Sequence, residues 1–271
     1  MSLIKEFISI FVKNPIVAIQ LFFLFVKYKF IKNQNDWTFY YHGHKLVYPA
    51  WVWYGVIWSI QEIFVNKYYK NLKWLNNILD LGGYFGESAI YLSEQNNNVD
   101  VYEADPDIYT YMSQNTSNIS NIKSYNIAVV NNDTKELYFD NLWWWFTMSG
   151  FITTQKTDKI VKCEHIKNII SQKDYDGIKI DIEWSEYGIV DWINQEYDWW
   201  LFKKWYIEFH YFDDNQISKT PIMIKCIQLL IQKFQVNIYN AQNWKEIILP
   251  LQELEYNIKN KKLSVIFLSF L

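Results

Sequence analysis

From about residue 77 onward the apolar positions follow two alternating rhythms. Short apolar-rich blocks at 77–82, 99–103, 122–130, 177–182 and 205–211 predict strands. Between them apolar residues recur three and four apart over 86–95, 106–115, 165–171, 185–196 and 219–233, which predicts helices. Pro106 directly after Asp105 is a helix start. Such alternation predicts an α/β sandwich around a mostly parallel sheet. The section 135–164 reads as less regular and β-rich. Two last strands are expected near 235–239 and 262–270; no long helical pattern separates them, so an antiparallel hairpin at the sheet edge is expected.

The first 74 residues have a different pattern and are read as a helical and aromatic extension, with residues 75–271 as the main domain. Asn14 can cap a helix whose first residue is Pro15. The apolar run Ile16 to Val26 is too short for the ~20 residues a membrane span needs. Lys13 interrupts the apolar stretch and no small-residue cleavage site follows, which argues against a signal peptide. Two placements stay open for residues 1–33: a helix packed on the domain, or one lying in a membrane interface. A further helical pattern runs from about Ile57 to Tyr69.

Composition narrows the function classes. With 271 residues, half of them apolar, the chain can bury one large core. A net charge of −3 implies no basic face for nucleic acid. All 26 basic residues are lysine, so bidentate arginine clamps are absent. Cys163 and Cys226 give neither a disulfide framework nor a metal-ligand spacing and read as buried thiols in a reducing, cytoplasmic setting. His42 and His44 flank Gly43, and no third metal ligand accompanies them.

Tryptophan and glycine are out of proportion. There are 8 glycines, where ordinary usage of about 7% would give roughly 19, and 14 tryptophans. Trp37 follows Asn-Asp, where a turn favours glycine; Trp143-Trp144-Trp145 separates two strand-like runs; Trp199-Trp200 occupies another expected loop. One reading is that many of these codons are UGA, read as glycine in the source organism, with Trp184 among them. The other is a genuine aromatic surface, such as a platform for stacking sugars.

The chemistry concentrates in two places. The first is Ile78-Leu79-Asp80-Leu81-Gly82-Gly83-Tyr84-Phe85-Gly86-Glu87, a strand, a glycine turn and the start of a helix. Glycines let the backbone approach a ligand, and the first helical turn presents free N–H groups. The next strand ends in Glu103, 23 residues after Asp80, close to the ~20 expected of an acid that binds ribose hydroxyls. The spacing is D-x-G-G-x-x-G rather than the G-x-G-x-x-G of dinucleotide folds. An acid before the turn suits a cofactor with a cationic amino-acid end and no phosphate, such as S-adenosylmethionine (SAM). The region resembles motif I of the class I SAM-dependent methyltransferases.

The second place is Gly177-Ile178-Lys179-Ile180-Asp181-Ile182-Glu183-Trp184-Ser185-Glu186. Alternation puts Lys179, Asp181 and Glu183 on one face if the strand continues, or they cluster at its C-terminal end, the edge where open α/β sheets bind ligands. Together with Glu103-Ala104-Asp105-Pro106 and the glycine turn, this stretch is similar to the FkbM family of SAM-dependent methyltransferases over about residues 60–215. That family carries a D-x-G-A-N-x-G turn and a K-I-D-x-E-G-A/S-E run. Gly83 and Tyr84 stand where the family has Ala and Asn, and Trp184 where it has glycine.

The resemblance implies a Rossmann-like fold, with an antiparallel C-terminal strand, that moves a methyl group from SAM to an oxygen, often a hydroxyl of a sugar, glycan or secondary metabolite. It implies that Asp80, Gly82, Gly83 and Gly86 hold the methionine end of SAM, that Glu103 binds the ribose and that Asp105 lies near the adenine. Asp181, Glu183 and His210 are the candidates for aligning the acceptor and removing its proton, histidine being suited to proton abstraction near neutral pH. Two other classes stay open: an NAD-linked oxidoreductase on a similar core, and a non-catalytic carbohydrate-binding protein.

Overall fold

The computed structural model describes residues 10–26, 36–50, 52–95, 97–141, 150–183, 185–210, 218–232, 236–240, 245–246, 250–259 and 265–270. The chain opens with helix α1 (Pro15–Val26) and a hairpin of β1 (Trp37–Tyr41) and β2 (His44–Tyr48). Asn14 caps α1, its side-chain oxygen accepting from the Val17 N–H at 3.2 Å. Helix α2 (Trp53–Ile60) runs on into a π-helical turn, Gln61–Val65, and a 3-10 turn follows at Tyr68–Leu72.

The rhythm of strands and helices then appears as expected, with ends shifted by a residue or two: β3 (Asn77–Leu81), α3 (Glu87–Ser93), β4 (Asn98–Glu103), α4 (Pro106–Thr116) and β5 (Ile122–Asn126). The single strand expected over 122–130 is broken at Ile127. Its second part, β6 (Ala128–Val130), leaves the main sheet and joins β7 (Glu136–Asn141), β8 (Gly150–Thr153) and β9 (Lys159–His165) in a four-stranded sheet. The irregular β-rich section is therefore a sheet of its own. After α5 (Ile166–Ile170) come β10 (Gly177–Ile180), α6 (Glu186–Glu196), β11 (Lys204–His210), α7 (Thr220–Leu230), β12 (Val236–Asn240), β13 (Lys245–Glu246), α8 (Leu251–Lys259) and β14 (Val265–Phe270).

The main sheet has the order β13-β12-β14-β11-β10-β3-β4-β5. Strands β5, β4, β3, β10 and β11 are mutually parallel, and β14 runs antiparallel between β11 and β12. The expected hairpin at the sheet edge is thus corrected in two ways. A helix, α8, lies between the two strands, burying Leu254 and Ile258. And β14 is inserted inside the sheet instead of closing its edge.

Two cores cover the two faces. The period of two sends Leu79, Leu81, Ile178, Ile180, Trp205, Ile207 and Phe209 to one core, with α6 and α7. The opposite face meets the N-terminal segment: Phe39, Val56 and Phe64 share a core with Ile78, Ala89, Val99 and Tyr206. On that second face the register aligns Asp80 with Lys179 and Lys179 with Tyr206. Both cysteines are buried free thiols. His42 and His44 bracket the hairpin turn, where His42 pairs with Glu94.

Candidate active site

A cavity of about 450 Å³ opens at the carboxyl ends of β3, β4, β10 and β11. One wall is the glycine turn. Gly82 has φ +88°, and a Cβ there would lie 1.6 Å from the Asp181 carbonyl oxygen, so only glycine lets the turn pass beneath the end of β10. A Cβ on Gly83 would meet Val101 at 2.3 Å and Met112 at 2.5 Å. Tyr84 takes φ +50°, a left-handed conformation that Asn enters more readily than Tyr.

Glu103, at the end of β4, forms the next part of the wall. One of its oxygens accepts from the Tyr84 N–H and the other from the Asp105 N–H, both at 2.9 Å. Burial pushes its pKa up to about 7, against the pull of those two N–H groups. Glu87, the first residue of α3, also faces the cavity and is fully buried. Neither of its oxygens has a hydrogen-bond partner of good geometry. Burial raises it to about 7 as well.

The other wall is charged. Lys179 is 1% exposed, and its Nζ lies 2.8 Å from the Gly82 carbonyl and 3.2 Å from both Asp80 and Asp181. Burial disfavours this ammonium, but the charges of Asp181 and Asp80 outweigh that and raise its pKa. Asp80 accepts a 2.6 Å hydrogen bond from the Ser88 hydroxyl. Strand β10 ends at Ile180, and Glu183 sits in a turn with φ +39°, reaching His210 from there instead of along a continuing strand.

His210 is the hub of this wall. Its Nδ1 lies 3.2 Å from the buried Glu186 carboxylate, and its Nε2 lies 3.4 Å from both Glu183 and Glu208. Burial works against a charged imidazole here, but Glu183, Glu186 and Glu208 outweigh it and lift the pKa well above the usual histidine range. The three acids thus favour the protonated imidazole, and His210 lies in the same wall as Asp181 and Glu183. Glu208 is raised by burial and by Asp181. Glu62, from the π-helical turn, is raised by burial and by the charges of Glu208 and Asp181. Among the described residues, ligand atoms of Asp181, Glu208 and His210 lie within 4.8 Å of one another, a set that could also hold a metal ion.

Of the residues singled out in the sequence, Gly82, Gly83, Glu103, Asp181, Glu183 and His210 line this one cavity. Asp80, Gly86 and Asp105 do not. Asp80 lies beneath the wall as the anchor for Lys179 and Ser88. Gly86, at φ +95°, begins α3 and packs on Thr116. Asp105 caps α4 by accepting from the Asp107 N–H and pairs with Lys159, so it is committed away from the cavity. Sequence reasoning missed Glu62, Glu87 and Glu208. For Glu208 a signal existed: it shares a strand face with His210, two residues on.

The tryptophans divide. Trp37 is no turn residue: it begins β1, is buried, and stacks on Tyr48 at 4.5 Å. Trp199 is buried too, with its Nε1 donating to Asn194. Trp74, by contrast, is 77% exposed with φ +68°. Trp184 and Trp143-Trp144-Trp145 lie outside the described residues.

The order of the five parallel strands, with an antiparallel strand inserted beside them, is decisive for architecture. The fold is a Rossmann-like α/β sandwich. No family model matches the chain, and no curated protein matches it. Among solved structures it is similar to a TehB-like SAM-dependent methyltransferase from Corynebacterium glutamicum (13% identity, 72% of this chain and 79% of that one, TM-score 0.38). It is similar also to an O-methyltransferase from Bacillus cereus in complex with SAH (10%, 73% and 74%, 0.40). A third likeness is to TYW2 from M. jannaschii in complex with AdoMet (11%, 88% and 86%, 0.45). Likeness at this level says nothing about what the present chain acts on.

Proposed function

We propose that this chain is a SAM-dependent methyltransferase of FkbM type that methylates an oxygen, the hydroxyl of a sugar, a glycan or a glycosylated metabolite. The reading rests on one observation: a glycine turn ending at an acid-tipped strand faces a carboxylate–histidine group across a single cavity. The wall fits the cofactor. Gly82 and Gly83 line the cavity with bare backbone, pressed against the end of β10, Val101 and Met112 on the side where a Cβ would project. Glu87 offers a buried carboxylate on the cavity wall, suited to an ammonium group. Glu103 offers two oxygens to a pair of ribose hydroxyls.

When bound, SAM supplies a methyl group already activated on a sulfonium. The chain then has to align an acceptor and take its proton. Asp181 does the latter in this proposal. It is the acid of the charged wall that reaches the cavity while tied to Lys179. His210, set between Glu186 on one ring nitrogen and Glu183 and Glu208 on the other, holds those acids in place at the cavity. Asp80 acts as a positioning residue through Lys179.

Titrating SAM into the purified protein tests the cofactor half. Saturable binding is expected, and Glu103→Ala should weaken it by roughly 1.5–3 kcal/mol, the worth of charge-assisted hydrogen bonds. Absence of binding to the wild type overturns the proposal. A methyl-transfer assay on pooled glycans then identifies the acceptor.

A further inference from the structure

Helix α1 is apolar on both sides. Val17, Ala18 and Leu21 are buried against the domain, as is Ile10 just before the helix. On the opposite side Val12, Ile16, Ile19 and Phe23 are 78%, 71%, 47% and 65% exposed. Their spacing of four, three and four residues makes one continuous stripe. Phe11 and Phe22 widen it. Hydrogen bonds from the Asn14 N–H to Ile10 and from the Ala18 N–H to Asn14 carry the helical path through Asn14, so the stripe is unbroken. No charged residue occurs from Asn14 to Val26. Monomeric soluble proteins rarely leave a contiguous apolar patch of this kind in water.

The charge around it is one-sided. Residues 1–33 contain five lysines (Lys5, Lys13, Lys27, Lys29 and Lys32) and a single acid, Glu6. The remaining residues contain 21 lysines against 28 acids. In sequence, then, the apolar helix is flanked by lysines while the rest of the chain is net acidic, a charge distribution that favours approach to an anionic surface by the helix end. At about 1.5 Å per residue, the helical path from Ile10 to Val26 is roughly 26 Å long, short of the ~30 Å hydrocarbon core. Among the described residues no helix is long and apolar enough to cross a membrane.

We infer that the exposed face of α1 is a docking surface for an anionic phospholipid bilayer, with the helix lying in the interface plane. Apolar side chains entering the acyl boundary and lysines meeting anionic headgroups are the two contributions such binding needs. The docked helix is tied to the body by hydrogen bonds. Gln20 bonds both to and from the Tyr40 backbone at 2.9 Å, and Lys13 donates to Asn66 at 2.7 Å. Asn66 directly follows the π-helical turn that supplies Glu62 and Ile63 to the cavity wall. This inference does not depend on the methyltransferase reading.

Co-sedimentation of the full chain with vesicles tests it, using phosphatidylcholine alone and phosphatidylcholine with about a third phosphatidylglycerol. Binding to the anionic vesicles is expected, falling steeply with added salt and at least ~10-fold weaker on neutral vesicles. The double variant Ile16→Asp, Phe23→Asp should lose ~10-fold or more on anionic vesicles while keeping the wild-type melting temperature, because both side chains face solvent. Three results would overturn the inference: no binding to anionic vesicles, equal binding by the double variant, or equal binding to neutral vesicles. So would a wild-type dimer in solution that the double variant dissociates, since the face would then belong to a second copy.

Discussion

At the ends of β3 and β4 the cavity wall is backbone. Three glycines bring the chain against its neighbours, and the carboxylate of Glu103 is held by two main-chain N–H groups. At the ends of β10 and β11 the wall is charge: Asp181, Glu183, Glu186 and Glu208 gather around Lys179 and His210. The first region is fixed by shape, so an added methyl group should wreck it. The second is fixed by electrostatics, so an isosteric loss of charge should be tolerated by the fold and felt in the chemistry. A cofactor shared by many reactions suits the rigid wall, and an acceptor that differs between enzymes suits the adjustable one.

The largest effect is expected from Gly82→Ala. Its Cβ would overlap the Asp181 carbonyl, and the left-handed backbone adds strain, so a stability loss of ~4 kcal/mol or more is predicted, seen as insoluble or unfolded protein. A variant melting like the wild type would break the contrast at its firmest point. Next comes Asp181→Asn. Lys179 retains Asp80 and the Gly82 carbonyl, so the fold and SAM affinity should persist while turnover falls by ~10²-fold or more. Turnover near that of the wild type would take Asp181 out of the mechanism.

A third experiment asks whether the rigid wall also titrates. Burial raises Glu103 to about 7, and only its ionised form accepts from both ribose hydroxyls. SAM affinity should therefore rise with pH, Glu103 alone accounting for about 10-fold between pH 6 and pH 8, since its proton must leave before binding. Glu103→Gln should flatten much of that slope, with Glu87 contributing the rest in the same direction. An affinity independent of pH in the wild type would show that Glu103 is ionised throughout. The smallest effect concerns a backbone-limited position away from the cavity. Trp74 pays for a left-handed φ without burying its ring, so Trp74→Gly should stabilise by about 1 kcal/mol in thermal unfolding. A loss of stability there would tell against glycine being the fitting residue at that turn.

Much of the rigid wall could be read from the sequence, because its constraints are local. The glycines of 82–86 and the acid 23 residues beyond Asp80 are marks of chain geometry, and the structure puts Asp80 and Glu103 on adjacent parallel strands. The charged wall was legible only in part. Asp181 and His210 stood out by residue type, but the pKa of His210 is set by Glu208 on its own strand together with Glu183 and Glu186 from the segment after β10. Glu62 arrives from a π-helical turn, whose spacing matches neither helix nor strand periodicity. The place of β14 was hidden for a similar reason: strand order in space is not written in the hydrophobic pattern of the strand itself. The nine residues of α8 did carry a signal, in Leu254 and Ile258, but it was too brief to stand out.

The insertion of β14 between β11 and β12 also governs how the chain can be made. A ribosome delivers residues in order, and domains tend to fold as their parts emerge. Here β12 has no neighbour on the β11 side until residues 265–270 arrive, because β14 alone bridges the two. The parallel half, from β5 to β11, can assemble while translation continues; the other half waits on the final strand. During that interval β11 presents an open edge, the kind of surface that invites pairing with another chain. A nascent chain stalled before residue 265 would carry a nearly complete cavity on an unfinished sheet, and would be more prone to aggregate than to lose its cofactor site.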